Sequence, residues 1–238
     1  MKKVLLFAML VFATGLLFSC SSDDPESSSG SAGSLSYGGQ TYETVKIGEQ
    51  TWMAENLNYN PGTGTSTCYD NGPNNCNTYG RLYDWSTAMG LSSICNSKSC
   101  SSQIQAKHRG ICPSGWHIPS DADWDKLFRF VDSENDGDGD GTPYDSYTAG
   151  KHLKAQSGWE PYSGIENLDT YGFSALPGGR GHSSENDIIS VGDMGNWWSA
   201  SEDDSYHAYR RIMSAYYDTA DWDYGGKNYL YSVRCLQD

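Results

Sequence analysis

The stretch HIPSDADWDKLFRFVD, residues 117–132, decides the fold class of this chain. Ser120 is a natural helix N-cap, Asp123 three residues on completes a capping box, and the acids of the first turn suit the helix dipole. Trp124, Leu127, Phe128 and Val131 then recur at helical spacing, so the segment reads as a helix laying one apolar stripe on a core. His117, just ahead of the cap, is expected to be structural.

Outward from this helix the pattern turns to strands. Thr44–Ile47 and Gln50–Met53 flank a Gly48-Glu49 turn, which predicts a β-hairpin with a type II′ connection. YGRLYDWSTAMG, residues 79–90, places Leu82, Trp85 and Met89 at helical spacing and stops at Gly90, so it reads as one short amphipathic helix. Beyond residue 145, HAYRRIMSAYY and NYLYSVRCLQ read as strands between polar turns, the last with Tyr229, Tyr231, Val233 and Cys235 on one face. Trp52, Trp85, Trp116 and Trp124 fall in patterned segments and are assigned to the core. Two helices with several short strands make an α+β domain.

The chain starts with Lys2-Lys3, an apolar run and Ser19-Cys20, which is the pattern of an export signal over residues 1–19. Leu17-Phe18-Ser19-Cys20 resembles a bacterial lipobox, which implies that Cys20 carries the acyl chains of an outer-membrane lipoprotein. The domain would then face the cell surface or the periplasm. Residues 20–36 are dominated by serine and read as a disordered tether spanning roughly 20–25 Å. Residues 37–238 remain as one domain with no fixed-period repeat. A net charge of −14 argues against nucleic acid and anionic lipid as direct partners.

Six cysteines follow Cys20: Cys68, Cys76, Cys95, Cys100, Cys112 and Cys235. In an exported chain an even number points to disulfides. Proximity favours Cys68 with Cys76 and Cys95 with Cys100, leaving Cys112 for Cys235, although fifteen connectivities are open to six cysteines. No Cys-x-x-Cys pairing supports zinc.

The motifs GGQTYETVKIGEQTWMAENLNY, YGRLYDWSTAM, GICPSGWHIPSDADWDKL, AGKHLKAQSGW, LDTYGFSALPGGRG, GNWWSASE and YSVRCLQD follow one another in the order of the Fibrobacter succinogenes major paralogous domain family, which this chain resembles over residues 37–238. The resemblance implies a fold of the C-type-lectin-like and formylglycine-generating-enzyme-like group, two helices beside a twisted, loop-rich antiparallel sheet. Lectin-type calcium motifs of the Glu-Pro-Asn or Trp-Asn-Asp kind are missing. Formylglycine chemistry would need a reactive cysteine pair, and Cys235 is wanted for a disulfide.

SENDGDGDGTPYDSYT, residues 133–148, looks like an insertion relative to that family. As an EF-type loop it is incomplete: a start at Asp136 leaves Tyr147 at the twelfth position, and a start at Glu134 puts Glu first. Asp136, Asp138, Asp140 and Asp145 are therefore read either as a weak calcium site or as a solvated acidic loop. The five histidines show no metal or nucleophile spacing, and ALPGGRGH lacks the Lys-Ser/Thr of a phosphate loop and reads as a tight turn.

Eight Trp and seventeen Tyr leave rings to spare for a ligand. Trp222, Tyr224 and one of Trp197 or Trp198 are expected at the surface. The function expected is non-catalytic binding or adhesion, to a glycan or a surface protein. A polysaccharide-acting enzyme or accessory subunit and a structural envelope component are the alternatives.

Overall fold

A computed structural model describes residues 33–69, 72–185 and 187–238. The expected signal peptide, Cys20 and the tether through residue 32 lie outside the described residues. In chain order the strands are β1 (Gly33–Tyr37), β2 (Gln40–Ile47), β3 (Gln50–Met53), β4 (Ser66–Thr67), β5 (Leu82–Tyr83), β6 (Trp116–His117), β7 (Gly139–Asp140), β8 (Asp145–Ser146), β9 (Gly181–His182), β10 (Met194–Glu202), β11 (His207–Ser214), β12 (Ala220–Gly226), β13 (Tyr229–Ser232) and β14 (Leu236–Gln237). The helices are α1 (Pro73–Tyr79), α2 (Trp85–Ala88), α3 (Asp121–Glu134) and α4 (Ala149–Leu153). One sheet runs β1-β2-β3-β14-β6 and the other β4-β5-β13-β10-β11-β12-β8-β7, with β9 beside β13. The pairings are antiparallel apart from β10 with β13. The molecule is an α+β protein. Among the described residues no helix is long and apolar enough to cross a membrane.

Helix α3 forms as its sequence predicts. Ser120 and Asp123 make a reciprocal capping box, and Trp124, Leu127, Phe128 and Val131 are fully buried. Their stripe packs with Trp52, Phe173 and Trp197 in one of two hydrophobic clusters. The other cluster gathers Tyr83, Trp85, Trp198, Tyr231 and Val233. Trp197 and Trp198 are neighbours on β10, and strand alternation sends their rings to opposite faces of the sheet. Both are 0 % exposed, so neither is the surface ring expected of this pair. An indole on each face of a covered strand has nowhere to go but a core.

Other local expectations are changed by pairing. Strand β1 begins at Gly33, four residues inside the expected tether, because residues 33–37 pair with Gln40–Thr44. The Gly48 turn forms with φ at +57°, a conformation glycine adopts without strain. Within residues 79–90, Leu82 and Tyr83 pair with β13, and the Asp84 carboxylate accepts from Thr87 N at 2.8 Å, which starts α2 only at Trp85. The final strand is broken in two. Leu236 enters the first sheet between β3 and β6, and Leu230, Ser232 and Arg234 are as buried as the residues expected to form its inner face.

Three disulfides join Cys68–Cys76, Cys95–Cys100 and Cys112–Cys235, the pairing that proximity favours. The core also holds several cations. Arg234 donates to Asn56 Oδ1 and to the Phe173 carbonyl, and burial lowers its pKa to about 9. Lys154 donates to the carbonyls of Ser214 and Tyr217, and burial brings it down to about 8. Arg211 reaches from β11 to the start of α3, where it pairs with Asp121 and Asp125. Burial raises Asp121 to about 6 despite that guanidinium.

The acidic stretch forms a hairpin, β7 to β8, at the edge of the larger sheet. Its organiser is Asp132, 2 % exposed at the end of α3. The Asp132 carboxylate accepts from Ser146 Oγ at 2.6 Å, Thr148 Oγ1 at 2.8 Å and Tyr144 Oη at 2.9 Å. Ser146 Oγ in turn accepts from Ala149 N, which ties the hairpin to α4.

Candidate aromatic and acidic surface

The antiparallel register of β11 and β12 sets Tyr209 opposite Tyr224 and Arg211 opposite Trp222. Opposed residues share a face, and so do residues two apart along a strand. His207, Tyr209, Trp222 and Tyr224 therefore stand on one side of the sheet. His207 meets Tyr224 edge-on at 5.7 Å, and the Tyr209 and Trp222 rings lie 5.7 Å apart at 47°. The inner end of this face is closed by buried Arg211 and the start of α3. Its outer end is open, with Tyr224 52 % exposed.

The turn from β10 to β11 brings acids to this surface. Asp204 Oδ1 accepts from the backbone N of Tyr206 at 2.6 Å and of His207 at 2.7 Å, with His207 Nδ1 3.0 Å away. The Tyr206 amide and the His207 ring hold the Asp204 carboxyl down at about 2. Lys227 anchors the turn from inside, donating to the Asp204 carbonyl at 2.8 Å while pairing with Glu202. Asp203, Asp204 and His207 offer ligand atoms within 4.8 Å of one another and could hold a divalent cation.

The expected site residues therefore divide. Trp222, partly buried, and Tyr224 meet in one patch with His207 and Tyr209, whereas Trp197 and Trp198 do not reach it. Asp145 borders the patch, accepting from Trp222 N at 2.8 Å. Asp136, Asp138 and Asp140 lie along the exposed hairpin, and the grouping of three ligands among the described residues occurs at Asp203, Asp204 and His207 instead. The sequence DDSYHAY, residues 203–209, carries a usable signal for it: two acids, a turn, then His207 and Tyr209 in strand alternation.

His117 is buried between Asp238, 2.8 Å from Nδ1, and Asp123, 3.5 Å from Nε2. Burial lowers its pKa, but the two carboxylates outweigh this and leave it raised. It joins α3 to the last strand and lies apart from the aromatic surface.

The Fibrobacter succinogenes major domain matches residues 45–237. The chain belongs to that family. No curated protein and no solved structure matches it. The match to the major domain stretches from within β2 to β14, so it takes in the larger sheet, all of the smaller one but β1 and the start of β2, the three disulfides and the β11–β12 surface.

Proposed function

We propose that this chain is a cell-envelope lipoprotein whose domain binds a glycan or a surface protein without catalysis. The observation that carries the reading is the gathering of His207, Tyr209, Trp222 and Tyr224 at the open end of one sheet face. Flat amphipathic rings suit the apolar face of a sugar or an aromatic anchor of a partner. The neighbouring carboxylates can accept hydroxyl or amide donors.

A glycan array together with pull-down tests this, comparing the purified wild-type protein with a Trp222→Ala/Tyr224→Ala variant. Specific binding lost in the variant supports the reading. Absence of binding above background, or retention in the variant, ends it. Acylation at Cys20 is checked by mass spectrometry of the membrane fraction against Cys20→Ala.

Two finer readings go with this. A C-type-lectin-like, formylglycine-generating-enzyme-like fold is supported by the loop-rich layout and by β14 returning to the sheet of β1 to β3; an experimental structure tests it. Calcium at the β7–β8 hairpin is supported by the density of Asp136, Asp138, Asp140 and Asp145. Bound calcium would raise the melting temperature over that in chelator, and equal midpoints would retire it.

A further inference from the structure

A concave site lies on the opposite face of the same sheet. There Arg210, opposed to Trp198 on β10, sits 5.1 Å over the Tyr231 ring. Tyr229 stacks parallel to Tyr231 at 5.9 Å and 3°. Tyr229 is one wall of a pocket of about 250 Å³, lined also by Arg180, His182, Glu185, Asp187 and Ile189. We propose that this pocket binds a single sugar residue, as a free monosaccharide or as the end of a glycan chain.

The pocket is built by GGRGH, the stretch read from sequence as a tight turn. Arg180 and Ile189 exchange backbone hydrogen bonds at 3.0 and 2.9 Å, which brings Ile189 back beside the start of β9. Gly179 makes this approach possible. Its φ is +70°, and a Cβ there would stand 2.3 Å from the Ile189 carbonyl oxygen. His182 packs edge-on against Tyr229 at 5.1 Å, so the ring wall is braced on two sides.

The polar groups of the wall are complementary to hydroxyls. Arg180 Nε is buried without a hydrogen-bond partner, and none of the ion pairs among the described residues involves Arg180. A buried N–H of this kind calls for an acceptor. His182 Nδ1 faces the backbone N of Ser184 at 3.3 Å and its Oγ at 2.8 Å. The backbone amide can only donate, so the neutral ring carries its proton on Nε2 and offers a second donor. Glu185 and Asp187 supply acceptors. A sugar hydroxyl both donates and accepts, and the C–H groups of a sugar ring can contact Tyr229, whose ring also has the Arg180 guanidinium over it at 5.7 Å. Drug-sized ligands occupy pockets of roughly 300–1,000 Å³, so this one admits one ring and not an oligosaccharide.

The inference stands apart from the β11–β12 reading, since the two sites lie on opposite faces and share no residue. Saturation-transfer NMR on the full chain, with methyl glycosides of hexoses, N-acetylhexosamines and hexuronates, tests it. Transfer is expected to at least one class, with affinity falling about tenfold in Arg180→Met, which keeps the side-chain volume but removes the donors. The same ligand should bind Trp222→Ala as it binds wild type. The melting temperature of Arg180→Met should match wild type, and Asp187→Asn, which keeps the side-chain size, gives a second variant expected to weaken binding. No transfer from any class, equal affinity in both pocket variants, or loss in Trp222→Ala overturns the proposal.

Discussion

Replacing Asp132 by alanine should unfasten the acidic hairpin. The carboxylate accepts three hydroxyl hydrogen bonds, from Tyr144, Ser146 and Thr148. Each bond to a charged acceptor is worth about 1.5–3 kcal/mol net, and contacts sharing one acceptor group are not additive. The variant also strands the hydroxyl of Ser146, which is 0 % exposed. The expected loss is therefore about 3–5 kcal/mol, or a fall in melting temperature of roughly 8–15 °C for a domain of this size. Denaturant unfolding gives the free energy. Hydrogen exchange gives the location, because Tyr147 N–H, bonded to the Asp138 carbonyl at 2.9 Å, should lose protection first. Asp132→Asn should lose less, since one amide oxygen remains to accept. A loss under about 1 kcal/mol in the alanine variant, with Tyr147 still protected, would refute the assignment of Asp132 as organiser.

Serine at both Cys112 and Cys235 should cost about 5 kcal/mol in the chain-entropy relation, given a separation of 123 residues, against about 2 kcal/mol for the Cys95–Cys100 pair five apart; denaturant midpoints of the two double variants rank them. For His117 the folded pKa lies above the ordinary 6.5, so its contribution to stability is complete below that value and disappears as pH rises through the raised one. The stability gap between wild type and His117→Asn should accordingly be wide near about pH 5.5 and narrow by about pH 8.5. Trp197→Ala or Trp198→Ala should cost about 3–5 kcal/mol through cavity formation, whereas Tyr224→Ala should cost under about 1 kcal/mol while impairing ligand capture. Thermal melts beside binding assays separate the two effects.

Sequence periodicity made α3, the β2–β3 hairpin and the disulfide partners legible because each rests on local or counting rules: a cap and a 3.6-residue stripe, a glycine turn, six cysteines. Trp197 and Trp198 misled because adjacent rings on an amphipathic strand ordinarily leave one outside, whereas here a separate cluster packs on each face of β10, with Trp124 and Phe173 around Trp197 and Trp85 and Tyr231 around Trp198. The role of Asp132 was hidden for the opposite reason. Among so many acids it looked like one more solvated charge, and its three hydroxyl partners come from beyond the hairpin tip. Trp222 and Tyr224 could be picked out one by one. Their grouping with His207 and Tyr209 depends on a register that a single strand does not encode.

The back-to-back indoles of Trp197 and Trp198 also bear on how this molecule comes apart. Each is rooted in a different cluster, and the two share one peptide bond. Loosening either cluster displaces the strand that supports the other, so the domain should melt in a single sharp transition, with the amides along β10 losing protection together and partly unfolded forms too sparse to accumulate.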